Sequence, residues 1–346
     1  MNNKVTITQD DIARKLNVSK VTVSKALRGH PDISKETSEK IKKLAAEMGY
    51  TPNYMARNLS SNKSGAIGVV IPKIAHYFFS SVIEAIYNTA FYNNYEIILT
   101  VSQENSEREK KQIETLLSMR VDGIIVSISQ ETQDKTIFER VVKLGVPLVF
   151  MDRILDIEGT SKVTVDDTGG AFKAVELAIK NGYTKIAHIA GYKENYIGRK
   201  RYLGFEEAMI RYKLEINKDW VVNGGFGEED GYKAFMKIYK TGKLPEFIFA
   251  VTYPVAIGIY AAVEEVGLKI IDDVDIICFG NSDVIRFIKP SLSCVNQPTE
   301  NLGKTAVEMI INQVNHINNF EPRRIELPTD IILRETCSKR KNGIVH

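Results

Sequence analysis

The sequence is poor in the residues that build disulfide frameworks and metal centres. It has 3 cysteines and 5 histidines among 346 residues, and Cys278, Cys294 and Cys337 show no Cys-x-x-Cys spacing. No His-x-x-x-His pair is present that would place two ligands on one face of a helix. These absences predict reduced thiols, no bound metal and no cofactor.

Long apolar runs and catalytic signatures are also missing. No stretch approaches the roughly 18 uninterrupted apolar residues of a membrane helix, and residues 1–10 lack the apolar centre of a signal peptide. There is no Gly-x-Ser-x-Gly elbow, and the pairs Gly169-Gly170 and Gly224-Gly225 lack the spacing of a phosphate loop. We therefore expect a cytoplasmic protein that is not an enzyme.

Positive charge is concentrated at one end of the chain. Residues 1–64 hold twelve Lys and Arg against six Asp and Glu, while the remainder holds 34 basic and 37 acidic residues, for an overall net charge of +3. A basic segment joined to a slightly acidic remainder favours a protein in which only that segment binds the phosphates of a nucleic acid. The alternative is a basic helix face that is exposed to solvent, which would give the same distribution of charge.

The basic segment contains three short helical patterns. Thr8 can cap a first helix, Ser19 a second one that runs to Leu27, and Ser34 a third that ends at Gly49. Two short helices joined by a tight turn are typical of a helix-turn-helix, whose second helix lies in the major groove of DNA.

The second helix carries side chains suited to base edges. Lys20, Val21 and Lys25 point outward near its start, so the lysines can donate to guanine and the valine can contact a thymine methyl. Further along, residues 53–61 form a fourth helical run that is too short to be stable alone, and a polar linker follows.

Residues 7–72 resemble the head of the lactose-repressor (LacI/GalR) family. The family's recognition motif V-S-x-x-T-V-S is found at residues 18–24 and its hinge motif N-x-x-A-R-x-L at residues 53–59. The resemblance implies that paired hinge helices wedge Leu59 into a central base step of the minor groove. The predicted DNA-binding residues are Thr8, Ser19, Lys20, Val21, Thr22, Ser24, Lys25, Asn53, Arg57 and Leu59.

After the head, apolar runs alternate with amphipathic stretches, as in an α/β fold with buried parallel strands and crossover helices. About 275 residues favour two lobes rather than one, and the resemblance implies a periplasmic-binding-protein-like core in which the chain crosses between lobes three times. The last helix, about residues 300–314, returns to the first lobe. The predicted strands are 66–71, 96–101, 123–127, 147–151, 185–190, 247–251 and 274–279.

Ligands of such sheets bind beyond the carboxyl ends of the strands. There Phe78 and Phe79 can supply flat walls, Asp152 can accept from hydroxyls, and Arg201 can offer a planar fork of donors. The resemblance supports Asp152 and Arg201 and adds Phe226 as an aromatic contact. The predicted effector-binding residues are His76, Phe78, Phe79, Ser127, Asp152, Arg201, Phe226, Tyr253 and Asn281.

Two positions depart from the family pattern. Thr252-Tyr253 stands where the family has Asn-Asp, and Gly280-Asn281 stands where an acidic pair is usual. Both changes remove a carboxylate that sugar-binding members use, so a sugar-derived effector stays a candidate and an anionic one gains weight.

These features predict a transcriptional regulator, a repressor by family precedent, that binds a palindromic operator as a homodimer under control of a small molecule. A periplasmic-type sugar receptor is the alternative, because it shares the fold. Residues 334–346 lack heptads, so no tetramer-forming tail is expected. We predict a helix-turn-helix domain over 1–50, a hinge over 51–64, a core over 65–338 (lobe 1 about 65–164 and 294–325, lobe 2 about 165–293 and 326–338) and a polar tail over 339–346.

Overall fold

The computed structural model describes residues 7–51, 63–75, 77–316 and 319–337. The chain divides into two compact units, a head of residues 1–64 and a core of residues 65–346. Within the described residues, none of the helices has the length and apolar character that crossing a bilayer requires.

Three helices build the described part of the head: α1 (Gln9–Leu16), α2 (Lys20–Leu27) and α3 (Lys35–Glu47). The predicted caps are confirmed, since Thr8 and Ser19 accept hydrogen bonds from the first turns of α1 and α2, and Ser34 does so for α3. The apolar faces meet in a small core of Ile12, Ala13, Val23, Ala26, Ile41 and Ala45. The predicted fourth helical run at 53–61 lies outside the described residues.

The first lobe of the core is a doubly wound parallel sheet with strand order β11-β5-β4-β3-β1-β2. Its strands are β1 (Ala66–Ile71), β2 (Glu96–Val101), β3 (Gly123–Val126), β4 (Leu148–Met151), β5 (Ser161–Val165) and β11 (Arg324–Leu327). Its helices are α4 (Tyr77–Tyr92), α5 (Ser106–Ser118), α6 (Thr136–Lys143) and α11 (Thr299–Asn315). α4 and α11 pack on one face of the sheet, and α5 and α6 cover the other.

The second lobe repeats this plan with strand order β12-β10-β9-β8-β6-β7, in which only the edge pair β10 and β12 is antiparallel. Its strands are β6 (Ile186–Ala190), β7 (Val221–Asn223), β8 (Phe247–Ala250), β9 (Asp275–Phe279), β10 (Ser293–Asn296) and β12 (Asp330–Ile332). Its helices are α7 (Asp167–Lys180), α8 (Tyr196–Arg211), α9 (Glu228–Tyr239) and α10 (Tyr253–Glu265), and the 3-10 turns are Lys218–Trp220 and Val284–Arg286. α7 and α8 lie on one face, α9 and α10 on the other.

The chain crosses between the lobes three times, after β5, after β10 and after β11, which confirms the crossing pattern that the family resemblance implies. The predicted last helix of the first lobe is also confirmed as α11. Because β10 pairs with β9, the chain returns to the first lobe after Asn296, and because β11 pairs with β5, it stays there through Leu327.

All seven predicted strands form, each with ends within one residue of the prediction. One expectation about them is wrong. β2 was expected to be buried on both faces, but it lies at the sheet edge, and its residues are half-buried apart from the exposed Glu96. Five strands were not predicted, because they have only three to five residues and three of them lie at sheet edges, where apolar runs are not required.

Candidate functional site

The exposed face of α2 carries the predicted base-contacting residues of the head. Val21 is 63% exposed, an unusual exposure for a large apolar side chain and one that suits contact with a thymine methyl. The Nζ atoms of Lys20 and Lys25 lie 2.7 Å from Asp10 and 2.8 Å from Asp32. Surface ion pairs contribute only about 0–1 kcal/mol, so both lysines are available to phosphates or base edges.

The other predicted DNA-binding residues of the head differ in their structural surroundings. Ser19 and Thr22 join their hydroxyls at 2.8 Å at the start of α2, and Thr8 and Asp11 form a reciprocal capping box on α1, so these residues hold the helix ends. Ser24 is half-buried on α2. Asn53, Arg57 and Leu59 lie outside the described residues, and their roles stay predictions.

In the core, a cavity of about 290 Å³ opens between the lobes at the carboxyl ends of the strands. It is rich in aromatic rings and contains acidic and basic side chains from both lobes. Its lining residues include Lys73, Phe78, Phe79, Gln103, Glu104, Gln130, Asp152, Arg153, Tyr192, Arg201, Phe226, Thr252, Tyr253, Phe279 and Gln297.

Six of the predicted effector-binding residues meet in this cavity: Phe78, Phe79, Asp152, Arg201, Phe226 and Tyr253. Ser127 lies behind Asp152 and donates to its Oδ2 at 3.3 Å. Asn281 is not among the lining residues, and its Oδ1 accepts a hydrogen bond from Arg334 at 2.9 Å. His76 lies outside the described residues.

Arg201 is a buried cation in the cavity lining, close to two buried carboxylates, of which Asp152 also lines the cavity and Asp167 does not. The Nε of Arg201 donates to Asp167 Oδ1 at 2.8 Å, and its guanidinium stacks 3.7 Å above the ring of Phe279. Burial raises the pKa of Asp167 to about 6, against the opposing effect of Arg201, and burial likewise raises the pKa of Asp152. Perturbed carboxylates of this kind concentrate at functional sites.

The backbone of the cavity wall is strained at three points. Gln103, Glu104 and Asp152 have φ values of 55°, 60° and 64°, in the left-handed region that side chains with a Cβ rarely adopt. Such conformations cost about 1–3 kcal/mol each and cluster at ligand-binding sites. This strain supports the cavity as the binding site of the core.

Several cavity residues were missed by the sequence analysis, above all Glu104 and Arg153. The Nη1 atom of Arg153 donates to both Glu104 oxygens, at 2.9 and 2.8 Å. Arg153 directly follows Asp152 after the predicted strand 147–151, and this position was the available signal. No local sequence pattern predicts Glu104 as a cavity residue, because it lies in a turn and only the tertiary fold brings it to the cavity.

The lobes touch across this cavity. The hydroxyl of Tyr253, on the second lobe, accepts from the backbone N–H of Tyr77 on the first lobe at 3.3 Å. Farther along, Arg324 of β11 donates to the hydroxyl of Tyr196 at 3.1 Å. Tyr253 therefore contributes a contact between lobes at a position where the family pattern has a carboxylate.

Comparison with known proteins gives two family matches. Residues 8–53 match the bacterial regulatory proteins of the lacI family, and residues 175–337 match the periplasmic binding protein-like domain. The solved structure of the Lac repressor dimer bound to operator and to the anti-inducer ONPF superposes with a TM-score of 0.85 at 23% identity, over 96% of this chain and 99% of that one.

Two characterised relatives align over nearly their whole lengths. The HTH-type transcriptional repressor PurR of Pasteurella multocida (strain Pm70) is 31% identical over 95% of this chain and 98% of its own. Catabolite control protein A of Priestia megaterium is 30% identical over 95% of this chain and 99% of its own. Together with the head motif and the two-lobed core, these relatives show that the chain belongs to the lacI family of bacterial regulatory proteins and is a DNA-binding transcriptional regulator.

Proposed function

We propose that the protein is a cytoplasmic repressor without enzymatic activity, a homodimer that binds an inverted-repeat operator with an affinity set by a small effector in the core cavity. The observation that carries this proposal is the surface of α2, where Lys20, Val21 and Lys25 are presented beside one another on a capped helix. The names of the relatives, one of them a transcriptional repressor, favour repression.

Selection of bound duplexes from a random-sequence pool tests the DNA-binding part of this proposal. We expect recovery of two inverted half-sites, because a two-fold symmetric pair of heads meets DNA symmetrically. A Lys20→Ala variant should lose about one unit of the salt dependence of binding. Recovery of no common sequence, with binding that salt abolishes uniformly, contradicts a sequence-specific operator.

Leu59 tests the hinge prediction. A wedge between base steps acts only on DNA that the heads already read, so Leu59→Ala should weaken binding to the operator more than to unrelated DNA. A Leu59→Met variant, which keeps an apolar side chain of similar volume, serves as the matched control. Equal loss on both DNAs for Leu59→Ala contradicts the wedge.

Exposed aromatic side chains support dimerisation of the core. Phe91 and Tyr92, at the end of α4, are 75% and 82% exposed beside the edge strand β2, and Phe287 is exposed on the second lobe. Apolar surfaces of this kind mark protein contacts. Sedimentation should give two chains per particle, whereas four would contradict the proposed homodimer.

The division into domains is also proposed. We expect limited proteolysis to cut first within residues 51–64 and to release the core, because the sequence there is a short helical run followed by a polar linker. A first cut between the two lobes of the core would contradict the predicted boundaries.

Effector binding rests on the cavity between the lobes. Its aromatic walls and convergent polar groups are what a small polar ligand with an apolar face requires. A ligand that prefers one lobe geometry tenfold shifts the equilibrium between geometries by about 1.4 kcal/mol, which is within the usual range of allosteric coupling.

A further inference from the structure

Asp122 holds the first residues of the core, where the chain arrives from the head. Gly65 is the first residue of the core and directly precedes β1. Its N–H donates to Oδ2 of Asp122 at 2.7 Å, and its carbonyl oxygen accepts from the N–H of Glu96 at 2.8 Å. The N–H of Asp122 donates to the carbonyl oxygen of Ala66 at 2.8 Å. Asp122 therefore binds two consecutive residues, and these two contacts form an entry clamp.

Gly65 depends on hydrogen bonds for its conformation. Its φ is 67°, in the left-handed region, which glycine adopts as readily as several other regions because it lacks a Cβ. A residue with so little intrinsic preference holds a bend only where its backbone groups are bound. The acceptor on Asp122 is a half-buried carboxylate, and hydrogen bonds to ionised acceptors are about twice as strong as those between neutral groups.

The second lobe has a clamp of the same kind in the equivalent place. Glu246 precedes β8 as Asp122 precedes β3, and each of these strands pairs with the first strand of its lobe. Oε2 of Glu246 accepts from the N–H groups of Thr184 and Lys185 at 3.1 and 3.2 Å, and its own N–H donates to the Lys185 carbonyl oxygen at 2.8 Å. A contribution to folding alone should therefore be similar in both lobes.

The two clamps differ in the chain that they hold. In the second lobe, the bound residues follow α7 and lead directly into β6. In the first lobe, Gly65 is separated by only five residues, 60–64, from Leu59, the predicted wedge. Six residue steps span at most about 20 Å in an extended chain. The position of Gly65 therefore limits where Leu59 can be placed.

A fixed starting point matters because the predicted hinge run, residues 53–61, is too short to be a stable helix alone. In a dimer it must form against a second hinge segment on DNA, at an effective concentration that falls as the connecting chain becomes longer or more mobile. Releasing Gly65 would add a freely bending residue to each connection. Binding to unrelated DNA, which does not depend on the wedge, would not show this loss.

Resting on the proposed operator binding, we infer that Asp122 is a positioning residue for DNA recognition: its carboxylate fixes Gly65, the residue from which the predicted hinge leaves the core, and so raises affinity for the operator from a position within the core.

Fluorescence anisotropy of the full chain tests this inference, with one operator duplex recovered by selection and one unrelated duplex. Asp122→Ala removes the acceptor for the Gly65 N–H. It should weaken operator binding at least tenfold while changing binding to the unrelated duplex less than twofold. Asp122→Asn keeps a side-chain oxygen that can accept from Gly65 and should restore most of the operator affinity.

Glu246→Ala is the matched control, because it removes the equivalent clamp from the second lobe. It should leave binding to both duplexes unchanged. Hydrogen exchange should accelerate at Thr184 in this variant, as it does at Gly65 in Asp122→Ala. If Asp122→Ala does not fold, insertion of two glycines between Ser64 and Gly65 lengthens the same connection with the entry clamp intact, and should give the same selective loss.

Three results would overturn the inference: unchanged operator binding in Asp122→Ala, an equal loss on both duplexes, or an equal loss of operator binding in Glu246→Ala. The last of these would make both clamps contributions to folding alone. A wild-type selection that recovers no half-sites would overturn the proposed operator and this inference together. Half-sites that wild type recovers and Asp122→Ala binds equally well would overturn this inference alone.

Discussion

In the head, charged side chains on and near α2, the predicted recognition helix, face solvent and pair with one another, as Lys20 does with Asp10 and Lys25 with Asp32. In the core, the Arg201–Asp167 pair has side chains only 3% and 2% exposed. Both regions therefore carry ion pairs, but water screens these pairs of the head and is excluded from the Arg201–Asp167 pair of the core.

This difference separates two kinds of recognition. Exposed pairs exchange partners at little cost, which suits a surface that must release and rebind phosphates. Buried pairs stabilise little in total, yet breaking one of them by removing a partner is expensive, which suits a site that must hold a fixed geometry.

Arg201→Met should destabilise the core by about 3–5 kcal/mol at pH 7.5, because Asp167 would remain as an unpaired buried charge. The loss should shrink at pH 5, where Asp167, whose pKa burial already raises to about 6, is protonated and no longer needs a cation. Denaturant unfolding at both pH values measures this, with the exposed Arg199→Met on the same helix as control. A loss as small as that of Arg199→Met would contradict the contrast between exposed and buried charges.

His188 tests how burial alone changes the pKa of a side chain that is not part of an ion pair. It lies on β6 between the rings of Phe205 and Phe249, and its Nδ1 lies 2.9 Å from the Phe249 carbonyl oxygen. Burial lowers its pKa to about 4, so as pH falls below 6.5 the unfolded chain takes up a proton that the native state refuses. Its contribution to stability is thus complete above pH 6.5 and is lost towards pH 4.

His188→Gln keeps a donor for the Phe249 carbonyl and removes this titration. Between pH 7.5 and pH 5, wild type should lose about 2 kcal/mol of unfolding free energy relative to the variant. The difference between the two proteins isolates His188 from Asp167, whose raised pKa acts in the opposite direction. The exposed His316→Gln is the control, and an equal pH dependence in wild type and His188→Gln would show that His188 does not resist protonation.

The smallest effect is expected in the head. Thr8→Ala removes the cap of α1 and should cost about 1 kcal/mol of local stability. Hydrogen exchange of the α1 amides in the full chain measures this loss, and Thr8→Ser, which keeps the capping oxygen, should restore protection. Identical exchange in the alanine and serine variants would mean that the cap does not stabilise α1.

The same contrast explains how far the sequence predicts the molecule. The helix caps at Thr8, Ser19 and Ser34 act within a few residues, so local pattern finds them. The strands that are buried on both faces are equally predictable from the sequence, because both of their faces are apolar. Five strands cannot be predicted in this way, because pairing partners distant in sequence define them. They are the short inner strands β5 and β10 and the edge strands β7, β11 and β12.

Within the cavity, the aromatic residues and the charged residues Asp152 and Arg201 were predictable from strand ends and from the family pattern. Glu104 and the unpartnered Nε of Arg153 were not, because they depend on a turn 49 residues away in sequence meeting the end of β4. Asn281 shows the converse, because it follows a strand end as the sequence indicates, but a contact with Arg334, which is distant in sequence, engages its Oδ1 atom.

The central claim is that the buried cavity of the core controls what the exposed surface of the head binds. Fluorescence anisotropy with a duplex recovered by selection, titrated with a panel of sugars, sugar acids and sugar phosphates for wild type and for Asp152→Asn, tests it most directly. We predict that one compound of the panel shifts operator affinity of the wild type at least tenfold, while Asp152→Asn binds the same operator without responding. An undiminished response in Asp152→Asn, or operator binding that no compound alters, would contradict this account.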